Sequence, residues 1–185
     1  MHQLVSFAKQ TIEIFIRERK IISLPKDLPE EFLNRRAGTF VTIEKNGELR
    51  GCIGTYLPLR KNIAEEIIYN AIAAATEDYR FGPIQEEELP HLFFTVYILS
   101  EPELVKDLKD LDPKKYGIIV KTVPITPSGD VVFNGHFVAK TGLLLPDLEG
   151  VDTIEKQISI ACQKGGIDPL REKILIYKFA VEKYQ

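Results

Sequence analysis

The segment Leu49-Arg50-Gly51-Cys52-Ile53-Gly54-Thr55-Tyr56 is β-compatible, yet it has glycines at two inner positions and one of the chain's two cysteines between them. Glycine inside a strand forfeits side-chain packing and costs backbone entropy. Two glycines three apart therefore point to a bulge, or to a place where something approaches the backbone closely. Period-two alternation puts Arg50, Cys52, Gly54 and Tyr56 on one face and Leu49, Gly51, Ile53 and Thr55 on the other. The first face carries a cation, a thiol, a bare backbone position and a phenol in line. The second is mostly apolar and suits a core.

Upstream, Gly38 to Ile43 reads as a strand and Asn46-Gly47 as the primed turn of a hairpin that returns through Leu49 to Tyr56. Downstream, Asn62 to Thr76 reads as a helix with Ile63, Ala64, Ile67, Ile68, Ala71, Ile72 and Ala75 in its stripe. Its alanine-rich end lets another element pack close. The chain begins with a further amphipathic helix over Gln3 to Lys20, stripe Leu4, Val5, Ala8, Thr11, Ile12, Phe15 and Ile16. Prolines 25 and 29 break it, and a short helical turn follows at Glu30 to Leu33.

Asp78 to Pro83 is a loop, and Glu86-Glu87-Glu88 a solvated turn. Leu92 to Leu99 is apolar on both faces and is predicted to lie centrally in a sheet. A connection over Pro102 to Pro113 with a possible helical turn leads to a strand over Gly117 to Thr122. A hairpin over Thr122 to Ala139 carries a second Asn-Gly pair at Asn134-Gly135. Gly142 to Pro146 is a strand end, and Thr153 to Lys164 a helix capped by Thr153 or Asp152 and stopped by Gly165-Gly166. Lys173 to Val181 closes the pattern as one strand.

A weak internal echo runs through this order. Gly51 stands twelve residues before Ile63 and sixteen before Ile67, and Gly142 stands at the same distances from Ile154 and Ile158. In such a duplication, Arg50 and Cys52 correspond to Thr141 and Leu143, which confines any chemistry to the first half.

The bulk numbers exclude several classes. At 185 residues, 44% hydrophobic and 28% charged, the chain is an ordinary globular one that buries a core without staples. A net charge of −3 disfavours a broad phosphate-binding surface, so nucleic acid is not an expected partner. Cys52 and Cys162 are too few for a disulfide framework or a four-thiolate site. The first helix is interrupted by Lys9, Glu13, Arg17 and Arg19, unlike a secretory signal, and no apolar run is long enough for a bilayer. The expected setting is the cytoplasm, with no membrane partner.

Leu49 to Thr55 resembles the signature of the AMMECR family, found in human, bacterial and archaeal proteins. The likeness extends along nearly the whole chain. Asn34-Arg35-Arg36-Ala37-Gly38 precedes the hairpin as in the family. Thr76-Glu77-Asp78-Tyr79-Arg80-Phe81 is similar to its aspartate–arginine–phenylalanine loop, and Glu86-Glu87-Glu88-Leu89 to its acidic turn. Gly142-Leu143-Leu144-Leu145-Pro146 is similar to its second signature, and Asp147 to Thr153 to bacterial members. Two departures are the long Thr122 to Ala139 hairpin and Gly82, where a proline is common.

The resemblance implies an α+β fold: one curved, barrel-like, mostly antiparallel sheet flanked by helices and built from two β-rich repeats. The expected organisation is one AMMECR-type domain over residues 1–185, with lobes of about 1–100 and 101–185. Bacterial relatives are often encoded beside, or fused to, a Memo-like domain and a radical-SAM protein, so the resemblance also implies those partners. It supplies no activity for the domain itself.

Each candidate residue has a functional and a bland reading. Cys52 is a nucleophile with a pKa lowered by Arg50, or part of a binding surface, or a small packed residue. A base for it would have to come from His91 or His136. Arg50 either holds an anion bidentately or pairs with Asp78 or another acid to fix a loop. Asp78 and Arg80 are a loop clamp or ligand contacts, and Arg35 belongs to a solvated cationic step or an anion site. Gly51, Gly54 and Tyr56 complete the candidate ligand-binding set. His2, His91 and His136 lack metal-ligand spacing, and no phosphate loop, dinucleotide fingerprint or nucleophile elbow is present, so no metal and no cofactor is expected. Cys162 belongs to a core. Two functions remain: a binding or accessory module recognising a small ligand or partner at the signature face, or an enzyme using Cys52 with Arg50 as anion stabiliser.

Overall fold

The structure, a computed structural model, describes residues 1–25, 27–124 and 138–185. The predicted turn and hairpin strands over Thr126 to Gly135, with His136, lie outside the described residues. The order is α1 (Gln3–Glu18), α2 (Glu30–Asn34), β1 (Thr39–Lys45), β2 (Glu48–Thr55), α3 (Ile63–Thr76), β3 (Leu92–Leu99), β4 (Glu103–Leu104), β5 (Gly117–Thr122), β6 (Thr141–Leu144), α4 (Ile154–Lys164), β7 (Ile174–Phe179) and β8 (Val181–Tyr184). The chain forms two compact units, Met1–Glu101 with Glu182–Gln185, and Pro102–Val181.

The fold is α+β, but the strands form two open antiparallel sheets rather than one barrel-like sheet. The first has the order β2-β1-β3-β8, the second β4-β7-β5-β6. Each closes on its own apolar layer beneath its own helices, so neither sheet must curl round to cover itself.

In the first unit, the predicted stripe of α1 is buried at Leu4, Val5, Ala8, Thr11 and Ile12, with Phe7 beside it. His2 caps that helix, its Nδ1 accepting from the Leu4 amide at 3.2 Å. Val41, Ile43, Val96 and Ile98 of β1 and β3 face Ile63, Ala64, Ile67 and Ala71 of α3 in one cluster. Each fully buried Ile or Leu contributes roughly 1.5–3 kcal/mol. Asn62 starts α3 by accepting from the Glu65 amide at 2.9 Å. β3 lies inside the sheet as its apolar run requires, although Phe93 is 68% exposed.

The second unit packs Ile118 and Val120 of β5 and Leu144 of β6 against Ala161 and Cys162 of α4. Cys162 is core, and burial pushes its thiol pKa up. Thr153 caps α4 through the Lys156 amide at 3.2 Å.

The sequence reading closes the chain with one strand; the structure breaks it at Ala180. β7 stays beside β5, whereas β8 joins the first sheet beside β3. The short β4, absent from the sequence reading, pairs Glu103 and Leu104 with Lys178 and Tyr177 of β7. Periodicity alone gives no reason to divide a continuous β-forming run between two sheets.

Candidate functional site

The β1–β2 hairpin turns at Asn46 and Gly47, both at positive φ as the Asn-Gly turn requires. Its ladder runs from Thr39↔Thr55 to Ile43↔Gly51 and then slips to Glu44↔Leu49, leaving Arg50 as the extra residue of a bulge. The bulge corrects the alternation: Gly51, Ile53 and Thr55 face α3 as expected, but Leu49 is exposed.

Both glycines of the signature are explained by close approach within the protein. A Cβ on Gly51 would collide with the Ala74 carbonyl of α3, and one on Gly54 with the Phe40 ring across the ladder. The space a ligand would need at these two glycines is filled by α3 and by Phe40.

Arg50 is held on all sides. Its Nε and Nη2 donate to Glu88 Oε2 at 3.0 Å and Oε1 at 2.8 Å, and its Nη1 to the Gly82 carbonyl at 2.9 Å. Glu88 also accepts from Lys45 Nζ at 3.0 Å and the Gln85 amide at 3.0 Å. Arg50 chiefly, against the opposing effect of burial, holds the Glu88 carboxyl down at about 2. Arg50 therefore pairs with another acid rather than with Asp78. Glu88 is also not the solvated residue expected of its charge run: its side chain is 15% exposed.

Asp78 and Arg80 act on the other side of β2. Arg80 grips Asp78 with Nε to Oδ1 at 2.9 Å and Nη2 to Oδ2 at 2.6 Å. Asp78 Oδ2 accepts from the Cys52 amide at 2.9 Å, and Arg80 Nη2 donates to the Cys52 carbonyl at 3.3 Å. The Arg80 guanidinium lowers the Asp78 carboxyl to about 2; burial opposes it, and the Cys52 and Arg80 amides reinforce it. The Cys52 thiol turns to Thr42, Sγ to Oγ1 3.2 Å, and is half-buried.

The structure brings Arg50, Cys52, Asp78 and Arg80 to one edge of the first sheet. Arg35 is tied elsewhere, its Nη2 donating to Glu182 Oε1 at 2.7 Å. Tyr184 hydroxyl donates to Glu182 Oε2 at 2.7 Å, and its own pKa is pushed up to about 12, by burial first and then by that carboxylate. Tyr56 follows β2 and is half-buried. His91 is exposed at the end of a 3₁₀ turn, four residues before Thr95. Thr95 lies level with Cys52 through Thr42, so strand rise puts His91 about 13 Å along the sheet from the thiol.

The sequence reading missed Glu88 and Gly82 as partners of Arg50, and Lys45 as a second cation on Glu88. It also missed a buried polar seam behind the signature. Glu66, 2% exposed, accepts from Thr55 Oγ1 at 2.7 Å and from the amides of Leu59 at 3.1 Å and Arg60 at 2.7 Å. Asn70 Nδ2 donates to Thr39 Oγ1 at 2.8 Å. The available signal was two polar residues, four apart, inside the apolar stripe of α3. Among the described residues no group of His, Cys, Asp and Glu is arranged to hold a metal, and no helix is long and apolar enough to cross a membrane.

Residues 5–184 match the AMMECR1 family model. A Thermotoga maritima protein is 48% identical over 185 residues, covering 100% of this chain and 98% of its own. A Clostridium acetobutylicum protein is 41% identical over 182 residues, 98% of this chain but 35% of that longer protein. The crystal structure of an uncharacterized protein from Pyrococcus horikoshii superposes with a TM-score of 0.81 at 31% identity, covering 97% of this chain and 88% of that one. With the signature, the fold and nearly the whole length in agreement, the chain belongs to the AMMECR1 family.

Proposed function

We propose that the protein is a binding or accessory module whose partner or small ligand is recognised at the signature segment of β2, in a modification pathway that includes Memo-like and radical-SAM proteins. The observation that supports this reading over catalysis is the state of Arg50. An anion stabiliser needs donors directed at a site, yet Arg50 Nε, Nη1 and Nη2 already donate to Glu88 and to the Gly82 carbonyl. The enzyme reading also needs a base, and His91 stands about 13 Å along the sheet from Cys52 by strand rise. A rigid, internally satisfied strand suits recognition, where pre-organisation lowers the cost of binding. The Clostridium relative, in which the matching segment is 35% of the chain, fits a module that also works joined to other domains.

The test is titration of purified Memo-like and radical-SAM proteins with this chain, followed by calorimetry. Binding in the micromolar range or tighter, weakened about tenfold by Tyr56→Ala with the melting temperature kept, is the expected result. No binding by either protein, together with turnover of any substrate that Cys52→Ser abolishes, would transfer the assignment to catalysis.

A further inference from the structure

β2 is an outer strand, and its eight residues compare with four in β6, four in β8 and two in β4, the other outer strands. A long open edge presents unpaired amides and carbonyls that can template pairing with another chain. Cys52 is where that risk centres. Its amide and carbonyl both point away from β1, because one donates to Asp78 Oδ2 and the other accepts from Arg80 Nη2. These are the two groups that a neighbouring antiparallel strand would take at a hydrogen-bonded pair.

We infer that the Asp78–Arg80 pair is an edge guard, a side-chain substitute for a missing strand, and that it keeps out β2 of a second copy of this chain. The carboxylate takes the place of the neighbour's carbonyl, and the guanidinium takes the place of its amide. Antiparallel pairing of β2 with itself about Ile53 is self-complementary: Cys52 of each copy faces Gly54 of the other, its amide and carbonyl meeting that residue's carbonyl and amide, and the two-fold operation closes the dimer. Gly54, two residues on, presents its amide and carbonyl in the same outward direction as Cys52 and is the partner that Cys52 of the other copy would take. The bulge at Arg50 limits pairing on the other side of Cys52, so the guard stands where the ladder would otherwise start. Asp78, 4% exposed, is fixed from within, while Arg80, its side chain 40% exposed, closes the rim.

The test compares the wild-type chain with Asp78→Ala/Arg80→Ala by sedimentation and amide exchange from about 1 to about 300 µM, which spans micromolar dissociation constants. The expected variant doubles in mass with concentration, and its Cys52 and Gly54 amides regain protection only in the dimer. A short bifunctional maleimide should then join Cys52 of two copies, leaving the buried Cys162 unmodified. The wild type should show no concentration-dependent change at Cys52. A purely structural clamp predicts a lower melting temperature with no association; a folded variant of unchanged mass, with Cys52 exchange independent of concentration, would overturn the inference. Should the double variant not fold, Asp78→Ala alone frees the Cys52 amide and removes the anchor of Arg80, and is read by the same two outcomes.

Discussion

The two units are built alike but equipped differently. In the first, β1, β2, α3 and β3 follow one another and give the sheet order β2-β1-β3; in the second, β5, β6, α4 and β7 give β6-β5-β7. Each sheet gains its fourth strand by exchange. β4, which follows β3, belongs to the second sheet, and β8, which follows β7, belongs to the first. The signature glycines correspond as well. Gly51 lies against the Ala74 carbonyl near the end of α3, and Gly142 against the Ala161 carbonyl near the end of α4. What differs is the edge. Where the first unit has Arg50, Cys52 and the Asp78–Arg80 pair, the second has Thr141, Leu143 and, after α4, Gly165-Gly166. The glycine is therefore part of a repeated strand-on-helix frame; the Arg50–Glu88 and Asp78–Arg80 pairs belong to the first copy, and the second has Lys140 on Glu172 and Arg171 on Asp168 instead.

The sharpest way to break that comparison is to fill both glycine sites. Gly51→Ala and Gly142→Ala each press a methyl group into a helix carbonyl, and each should cost about 3 kcal/mol or more, measured by denaturant unfolding. If one is tolerated, the frames are not equivalent. Next in size is the Arg50–Glu88 pair. Arg50→Met alone leaves Glu88 with a partner missing in a half-buried place and should cost about 2–3 kcal/mol, whereas Thr141→Val at the corresponding position should stay within about 0.5 kcal/mol. The double variant Arg50→Met/Glu88→Gln should lose less than the sum of the single losses.

A pH series reads the two carboxylates of the first unit without mutation. The Asp78 and Glu88 carboxyls have folded-state pKa values depressed to about 2. Their contribution is present above the ordinary carboxylate range and is lost as pH falls from about 4.5 towards 2. Asp78 accounts for about 2 kcal/mol and Glu88 for about 3 kcal/mol, so unfolding midpoints should drop over that interval. Asp78→Asn and Glu88→Gln should flatten the profile.

The smallest effect concerns the thiols. Cys52→Ser should change stability by less than about 1 kcal/mol, and native alkylation should modify Cys52 well before Cys162. A Cys52 that reacts only on unfolding would remove it from the recognition surface.

Much of the frame was legible locally. Helical stripes, the start of α4 at Thr153 and the Asn46-Gly47 turn depend on residues within a few positions of one another, and periodicity and turn chemistry report them; the His2 cap of α1 came only with the structure. The twin glycines likewise announced close approach, and the spacing echo anticipated the repeated order of elements. The site was less legible. Arg50 and Glu88 meet across 38 positions, and Arg80 meets the Cys52 carbonyl across 28, spans over which no local pattern carries information. Leu49 was misplaced because a bulge resets alternation, and a bulge at Arg50 is decided by both strands together.

By itself, then, the sequence determined the family, the α+β class, the hairpin, the helices and the short list of residues around Cys52, because those follow from near-neighbour periodicity, turn chemistry and a specific signature. Only the tertiary structure decided that the strands form two sheets, that β8 returns to the first, and that Arg50 answers to Glu88 while Asp78 and Arg80 close on Cys52. Those choices depend on which distant groups must satisfy one another's hydrogen bonds and charge once water is removed.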